Sequence, residues 1–559
     1  MELVVNDLQS SWYGLAAGLS SLGIPFHLYT DVAEALPHDV ILIYPGLNGA
    51  NTSAANLQSL AAHVRKGGTV VAFSVLGGGL EQVFGFESAS EDPLHRTVEF
   101  APSSLRAQFL ESADDAVINL GSLKNPGSGM GGISYRTTKL PPIATYEDGS
   151  AAITQNVFTA EGREGHAYAV GVDWSHYFMR AHGGRAPDAV GSYVNAYHAG
   201  LDTVLRFIAA IYRQGENDAV LLSPTPSGKD LSILMTHDID FTHSIVNAPL
   251  YAQVERDAGV SATYFIQTKY VKDYSDDAFF KPSTVQYLTQ LQNAGMEIGS
   301  HSVAHSRVFD ELEEGNGSEQ YPDYRPFVKQ FRQVEGATIA GELRVSKFLL
   351  ETQGAKTVVS FRPGHLSFPY QLPQMLDATG YRFSSSMTAN EALTNLPYRD
   401  MVDRGFKAPS PVYEFPVTIE DEEGVLGDRV DAAIDVSRKI AAYHGVVTVL
   451  VHTDSTDHKL EFTRKYLAAM KDQAWFATMG EFGRWWAARE SVALLQTASS
   501  DSAKSLRVET RQPLSGLTLL LPAGWRYQGG LAGTTQRGER LVLGELTDAA
   551  TLEFTVVGR

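Results

Sequence analysis

The stretch SILMTHDID, residues 232–240, is an apolar run that ends in a cluster of polar residues. Its last four residues include His237 and two carboxylates, Asp238 and Asp240. A short apolar run that stops on charge is typical of a buried parallel strand, whose polar end lies at the carboxyl edge of a sheet or barrel. We therefore interpret this stretch as the first strand of a domain with its functional site at that edge.

Three further polar clusters follow predicted strands downstream. GMEIGSHSVAH ends in His301 and His305, FRPGH contains Arg362, and TVLVHTD contains His452. A lone histidine at a strand end is more often structural than catalytic. Carboxylates and several histidines that all follow apolar strands nevertheless indicate a metal and acid/base site.

Composition limits the classes of function. A chain of 559 residues is expected to form two to four domains. The net charge of −19 argues against nucleic acid or an anionic membrane as a partner. The chain contains no cysteine, which excludes disulfides and cysteine nucleophiles, so any metal must be held by histidine and carboxylate. Because apolar runs fall short of the roughly 18 residues of a membrane span, none is predicted.

The N-terminal sequence MELVVNDLQSSWYGL has neither a basic region nor a long apolar core, so no signal peptide is visible. We expect a periplasmic or extracellular location if a signal was removed, and a cytoplasmic location otherwise.

The predicted fold class is α/β, with three domains. Residues 1–215 alternate strand-like and helix-like stretches, which predicts a doubly wound parallel sheet. Residues 225–490 contain six or seven strand–helix units, which favours a distorted (β/α) barrel. After a Ser/Ala-rich linker at 493–505, residues 504–559 alternate as in a small antiparallel β domain. The insertion at 306–327 is compatible equally with a binding loop and with a solvated excursion.

The first domain resembles the class I glutamine amidotransferase-like fold found as a non-catalytic accessory domain in carbohydrate enzymes. Catalytic members carry a cysteine on a tight turn after a strand, and here that strand leads into SVLGGGLEQ. The resemblance therefore implies that amidotransferase activity is absent.

The two histidines of HSVAH are four residues apart, which on a helix would place both imidazoles on one face. With one carboxylate they would form a three-ligand set with an open position, as in catalytic zinc sites. Of the two aspartates of THDID, one could bind the metal while the other takes a proton from water. Arg362 would keep such a base ionised, and His452 could protonate a leaving group. Together these roles describe hydrolysis of an amide or ester.

These motifs resemble those of the NodB-like polysaccharide deacetylases, carbohydrate esterase family 4. Their motif TFDDG is similar to THDID, and H[ST]xxH is matched at 301–305. RxPxG has a shortened counterpart at 362–364, and LxH is matched at 450–452. The resemblance covers roughly 230–490.

The resemblance implies a hydrolase that removes N-acetyl or O-acetyl groups from an acetylated polysaccharide or oligosaccharide, with protein partners unknown. It implies one divalent metal ion, with zinc expected first and cobalt, nickel or iron as alternatives. Asp238 would be the base, with Arg362 as its partner, and His452 the acid. The implied metal ligands are Asp240, His301 and His305.

Two departures from the family pattern leave assignments open. Ile239 separates the two aspartates, so which of them is the base is not fixed by the motif. A fourth motif that positions the acid histidine is not evident, and Asp421 and Asp403 are candidates for that role.

Two other functions are compatible with parts of the pattern. The barrel could belong to a catalytically inactive carbohydrate-binding or assembly protein, but a merely structural metal needs no spare base such as Asp238. Paired acids also serve glycoside hydrolases, yet two aspartates so close in sequence fit poorly on either side of a glycosidic bond.

Overall fold

The computed structural model describes residues 1–103, 105–121, 125, 127–137, 140–160, 162–183, 195–389, 394–406 and 408–557. These residues form a mixed α/β protein with an eleven-stranded sheet, a ten-stranded sheet and two four-stranded sheets, besides two small two-stranded sheets. None of the helices among them combines the length and the apolar character needed to cross a membrane.

The eleven-stranded sheet occupies the N-terminal part of the chain. Five neighbouring strands are parallel, in the order His27–Tyr29, Glu2–Val5, Val40–Tyr44, Thr69–Phe73 and Arg163–Val170. Antiparallel pairs add the strands Phe86–His95, Thr97–Phe100, Val117–Asn119, Met130–Thr137, Ala144–Tyr146 and Ala151–Ala160. The helices are Trp12–Leu22, Val32–Ala35, Ala54–Arg65, Glu81–Phe84, Trp174–Ala181 and Leu201–Gly215.

The three strands in the middle of the parallel group, Glu2–Val5, Val40–Tyr44 and Thr69–Phe73, are buried at every position because both faces of this sheet are covered. Leu3 belongs to the same buried cluster as Leu19 of helix Trp12–Leu22. Its neighbour Val4 belongs to the opposite cluster, with Leu57 of helix Ala54–Arg65. Successive strand residues point to opposite faces, so a strand between two helical layers needs apolar residues at every position.

The ten-stranded sheet forms the central part of the protein. Its strand order is Tyr398–Met401, Pro409–Glu414, Phe383–Ser384, Ser360–Phe361, Glu297–Ser300, Ala262–Ile266, Leu231–Ile239, Val446–His452 and Val417–Ile419, and Ala474–Phe476 also pairs with Leu231–Ile239. Apart from the pair that joins Tyr398–Met401 to Pro409–Glu414, the strands are parallel. The sheet curls into a half-barrel, and a single parallel bridge between Thr388 and Val417 links its two ends.

The helices of the central part are Thr242–Asp257, Val285–Asn293, Ile339–Thr352, Leu372–Ala378, Val430–Ala441, His458–Met470 and Met479–Glu490. They alternate with the strands along the chain, as the strand–helix units of the sequence predict. Since the strands are parallel, their carboxyl ends share one rim of the half-barrel.

The stretch VYEFPVTI at 412–419, whose composition predicts one strand, is divided between two strands in the structure. Glu414 pairs with Ser384 towards one end of the sheet, whereas Val417 pairs with Thr448 at the other. Pro416 lies between them and has no N–H to donate to a strand ladder. The chain therefore leaves the second strand from one edge of the sheet and joins the strand at the other edge within three residues.

The C-terminal part consists of two four-stranded antiparallel sheets. One contains Leu221–Leu222, Thr518–Leu520, Arg540–Val542 and Thr535–Arg537. The other contains Ala493–Ser499, Ala503–Glu509, Ala549–Val556 and Trp525–Gly529. The prediction of a linker at 493–505 was therefore wrong, because most of it forms a β-hairpin. Ala493–Ser499 is an edge strand whose side chains are largely exposed, so it lacks the apolar alternation that marks a strand in sequence.

Candidate active site

The polar clusters that follow the predicted strands meet in one cleft at the carboxyl rim of the half-barrel. The cleft has a volume of 610 Å³. Its lining includes five of the six site residues predicted from sequence: Asp238, Asp240, His301, His305 and His452. The sixth, Arg362, is fully buried and reaches the cleft through a contact with Asp238.

The spacing of the two aspartates is explained by the geometry of strand Leu231–Ile239. Side chains two residues apart in a strand share a face, and both Asp238 and Asp240 line the cleft. Ile239 lies between them and is fully buried in the apolar core of the half-barrel. The interposed isoleucine therefore anchors the strand end while the two carboxylates point to the same side.

Asp240 is the carboxylate that faces both histidines of HSVAH. Its Oδ1 lies 3.1 Å from Nε2 of His301, and its Oδ2 lies 3.5 Å from Nε2 of His305. One ligand atom from each of these residues falls within 4.8 Å of the others. Asp238 is farther away, with Oδ2 at 3.8 Å from Nε2 of His301.

Two polar atoms at the centre of this group fit a bound cation. Asp240 Oδ1 and His301 Nε2 are buried, and although they are neighbours their geometry is not that of a hydrogen bond. The other ring nitrogen of His301, Nδ1, donates to the carbonyl oxygen of Arg362 at 2.8 Å. This bond holds the imidazole in the tautomer whose Nε2 lone pair is free, as in metal-binding histidines. A carboxylate and two imidazoles are a suitable ligand set for a divalent transition metal.

The surrounding charges shift the pKa values of these groups. Burial raises the pKa of Asp240, but His305 and His452 lower it more, and the pKa lies well below its ordinary value. Burial lowers the pKa of His301, but Asp238 and Asp240 raise it above its ordinary value. At His305 burial has the larger effect, and the pKa falls to about 4. The shifts at Asp240 and His305 favour an ionised carboxylate and a neutral imidazole, which are the forms that bind metal.

The two histidines are brought together by a loop, so the helix considered from their spacing was wrong. The loop follows strand Glu297–Ser300, and Ser302 and His305 have φ values of 61° and 54°. Backbone N–H groups of Val303 and Ala304 donate to Oε2 of Glu342 at 2.9 and 2.8 Å. The buried carboxylate of Glu342 thus fixes the loop that carries both histidines, a contact that sequence reasoning missed.

Arg362 holds Asp238 in place beside the ligand set. Its Nη1 donates to Asp238 Oδ1 at 2.8 Å, while Nε and Nη2 donate to the carbonyl and hydroxyl oxygens of Ser385 at 3.1 and 2.8 Å. The guanidinium also lies 4.5 Å from the ring centre of Phe265. A buried guanidinium with these fixed partners sets the orientation of the carboxylate.

His452 has a carboxylate partner in Asp421. Nδ1 of His452 donates to Asp421 Oδ1 at 2.7 Å, and Asp421 Oδ2 accepts from Nζ of Lys459 at 2.9 Å. Burial lowers the pKa of His452, but Asp421 and Asp240 raise it well above its ordinary value. Its Nε2 lies 3.3 Å from Asp240 Oδ2, next to the ligand set.

Asp421 was one of two candidates for the partner of His452. Its position directly after a strand in the sequence is the feature that identifies it. It follows strand Val417–Ile419, which pairs with the strand that ends at His452. Polar residues after adjacent parallel strands meet at the same rim. Asp403, the other candidate, is exposed and accepts a hydrogen bond from Gln374.

Comparison with known proteins gives a match within the central part. Residues 230–384 match the model of the polysaccharide deacetylase family. No curated protein matches the chain. The family match does not reach residues 1–215, so the resemblance of that domain to the amidotransferase-like fold stays a prediction.

Several solved structures resemble part of the chain at low identity. A protein from Mycobacterium smegmatis, described as a candidate polysaccharide deacetylase, is 14% identical over 46% of this chain and 92% of its own, with a TM-score of 0.35. A family 4 carbohydrate esterase from Streptomyces lividans is 14% identical over 44% of this chain and 91% of its own, with a TM-score of 0.27. A family 4 pseudoenzyme from Bacillus anthracis is 13% identical over 46% of this chain and 66% of its own, with a TM-score of 0.25. Nothing about activity follows from likeness at this level. On the family match, residues 230–384 contain a polysaccharide deacetylase domain.

Proposed function

We propose that the protein is a metal-dependent hydrolase that removes acetyl groups from a polysaccharide. The observation that carries this proposal is the position of Asp238. Its carboxylate lies beside the group formed by Asp240, His301 and His305, but it is bound to Arg362 instead of facing both histidines. A site that only stored a metal would have no use for a second, separately oriented carboxylate.

In this proposal Asp240, His301 and His305 hold one divalent ion, with zinc expected first. When bound, the ion supplies Lewis acidity, which polarises an acyl carbonyl and makes a neighbouring water more acidic. Asp238 accepts the proton of the attacking water, and its bond to Arg362 fixes its orientation for that step.

His452 completes the proposed reaction on the leaving-group side. Asp421 and Asp240 raise its pKa, which favours the protonated form that a general acid needs. As the bond from the acyl carbon to nitrogen or oxygen breaks, His452 donates its proton to the leaving atom, and the products are acetate and a free amine or hydroxyl. Asp421 keeps the donating Nε2 aimed into the cleft by holding Nδ1.

The direct test is acetate release from acetylated glycans and small acetyl esters, with and without a chelator. We expect release that the chelator abolishes and a divalent metal restores. Absence of release from every substrate, in protein shown to contain metal, would favour a catalytically inactive carbohydrate-binding role for the same cleft.

A further inference from the structure

The rim of the cleft carries aromatic side chains that are exposed to solvent. Tyr274 and Phe331 line the cleft and are 68% and 59% exposed, and Phe241 nearby is 36% exposed. A single exposed aromatic residue is common on protein surfaces, but several grouped at one cleft are typical of a ligand-binding surface. Three such rings at the mouth of one polar cleft indicate a binding surface next to the reacting centre.

The wall that carries Tyr274 is held by a network of hydrogen bonds. The N–H of Tyr274 donates to the carbonyl oxygen of Val328 at 3.0 Å, and the N–H of Val328 donates to Asp273 Oδ2 at 3.2 Å. Buried Lys269 donates to Asp273 Oδ1 at 2.7 Å and to Ser275 Oγ at 2.8 Å. Segment 273–275 and the strand Phe327–Gln330 are thus fixed to each other before any ligand arrives.

Phe331 is presented at the turn between strands Phe327–Gln330 and Gln333–Glu335. The guanidinium of Arg307 lies 4.1 Å from the centre of its ring. Next to it, Arg332 pairs with Glu311 at 2.5 Å, which ties the turn to the preceding segment. The aromatic ring is therefore fixed on one side and open on the other.

The charges around the cleft disfavour a polyanion. Two of its lining side chains are lysine or arginine, namely Lys459 and Arg307. Lys459 pairs with Asp421 and Asp454 at 2.9 and 2.7 Å, and Arg307 lies over Phe331. The net charge of the chain, −19, adds a repulsive field for anionic polymers.

We propose that Tyr274 and Phe331 are subsites on which pyranose rings of a neutral or amino-sugar polysaccharide stack, beside the unit that reacts. One face of a pyranose ring presents C–H groups, which pack against an aromatic face, while its hydroxyls remain at the edge in contact with water or polar side chains. That the ligand is a polymer rests on the proposed function. Under this proposal Tyr274 and Phe331 determine the preference for polysaccharides over small acetyl compounds.

The test compares Tyr274→Ala, Phe331→Ala and the double variant with the unaltered full-length protein. The substrates are partially acetylated chitosan, acetylated xylan and 4-nitrophenyl acetate, and Phe348→Ala is the matched control because Phe348 is 50% exposed on helix Ile339–Thr352 and does not line the cleft. We expect KM for a polymer to rise about tenfold in each single variant, as loss of one aromatic stacking contact implies, and a clearly smaller rise on the aryl acetate, which offers one small ring in place of a polymer. Tyr274→Trp and Phe331→Trp should retain polymer binding.

Equal losses on polymer and aryl acetate, or no loss on either, would overturn the subsite assignment. Affinity electrophoresis in gels containing the same polymers separates this result from failure of the proposed function, since it needs no turnover. We expect chitosan and xylan to retard the unaltered protein but not the double variant. Hyaluronan should retard neither protein. No retardation of the unaltered protein by the two glycans, or stronger retardation by hyaluronan, would also overturn it.

Discussion

Asp421 binds His452 at two points. Its Oδ1 accepts from the Nδ1 of the imidazole at 2.7 Å, and its Oδ2 accepts from the backbone N–H of the same histidine at 2.7 Å. The two bonds fix both the position of the strand end and the rotation of the ring. His452 can therefore present Nε2 to the cleft in one orientation.

Asp421→Asn is expected to shift the pH dependence of acetate release. Asp421 raises the pKa of His452, so its neutralisation should lower that pKa. A general acid must be protonated, and activity is lost as pH rises through its pKa. The alkaline limb of the kcat profile should therefore move to lower pH, and kcat at pH 8 should fall on the order of 10²-fold. Asp403→Asn is the matched control, and an alkaline limb that stays in place would contradict the pairing.

His301→Ala is expected to remove the metal. The unaltered protein should contain about one divalent ion per chain, measured by elemental analysis, and the variant should contain none. His38→Ala is the control, because its side chain is 43% exposed in the N-terminal sheet domain. Metal content that remains unchanged in His301→Ala would rule out the ligand assignment.

Asp238→Asn separates the proposed base from the metal. The asparagine keeps an oxygen that can accept from Arg362, so the fold and the metal content should be retained. It cannot take a proton from water, and acetate release should fall by about 10²- to 10⁴-fold. Thermal unfolding and metal analysis should be measured on the same preparation. Retained activity in a folded, metal-loaded variant would show that another group is the base.

Glu342→Ala tests whether the hydrogen bonds from Val303 and Ala304 to Glu342 hold the loop that carries His301 and His305. Removal of the carboxylate leaves the N–H groups of Val303 and Ala304 without their acceptor, and metal affinity should fall by about 10- to 100-fold although no ligand is changed. Glu342→Gln keeps one acceptor oxygen and should restore most of the affinity. Glu351→Ala, on the same helix, is the control. If affinity for metal is unchanged while stability falls, Glu342 serves the fold only.

The sequence predicts the central strands well because buried parallel strands are short apolar runs that end on polar residues. The sequence also predicts that the polar residues after these strands meet at one rim, because the carboxyl ends of parallel strands lie on the same side of a sheet. The run at 412–419 is rich in β-branched and aromatic residues on both sides of Pro416, so its division between two distant strands depends on long-range pairing that local pattern does not contain.

The parts of the site that escaped prediction depend on contacts between distant segments. Glu342 resembles any acid on helix Ile339–Thr352, and only the fold places it under the loop of His301 and His305. The left-handed backbone conformation of Ser302 and His305 likewise depends on the hydrogen bonds between this loop and Glu342. Asp421 is different, because the order of the strands is enough to place it beside His452: the two residues follow or end adjacent parallel strands.

Arg489 has a consequence for how this protein can be divided. It lies on helix Met479–Glu490, is fully buried, and donates to the carbonyl oxygens of Ser20, Leu222 and Ser223. In a fragment that contains only the central half-barrel, the guanidinium of Arg489 would lose these three acceptors. Water would then have to enter the pocket to solvate its charge. The half-barrel is thus not a detachable module, and we expect the three parts of the chain to be inherited and engineered as one unit.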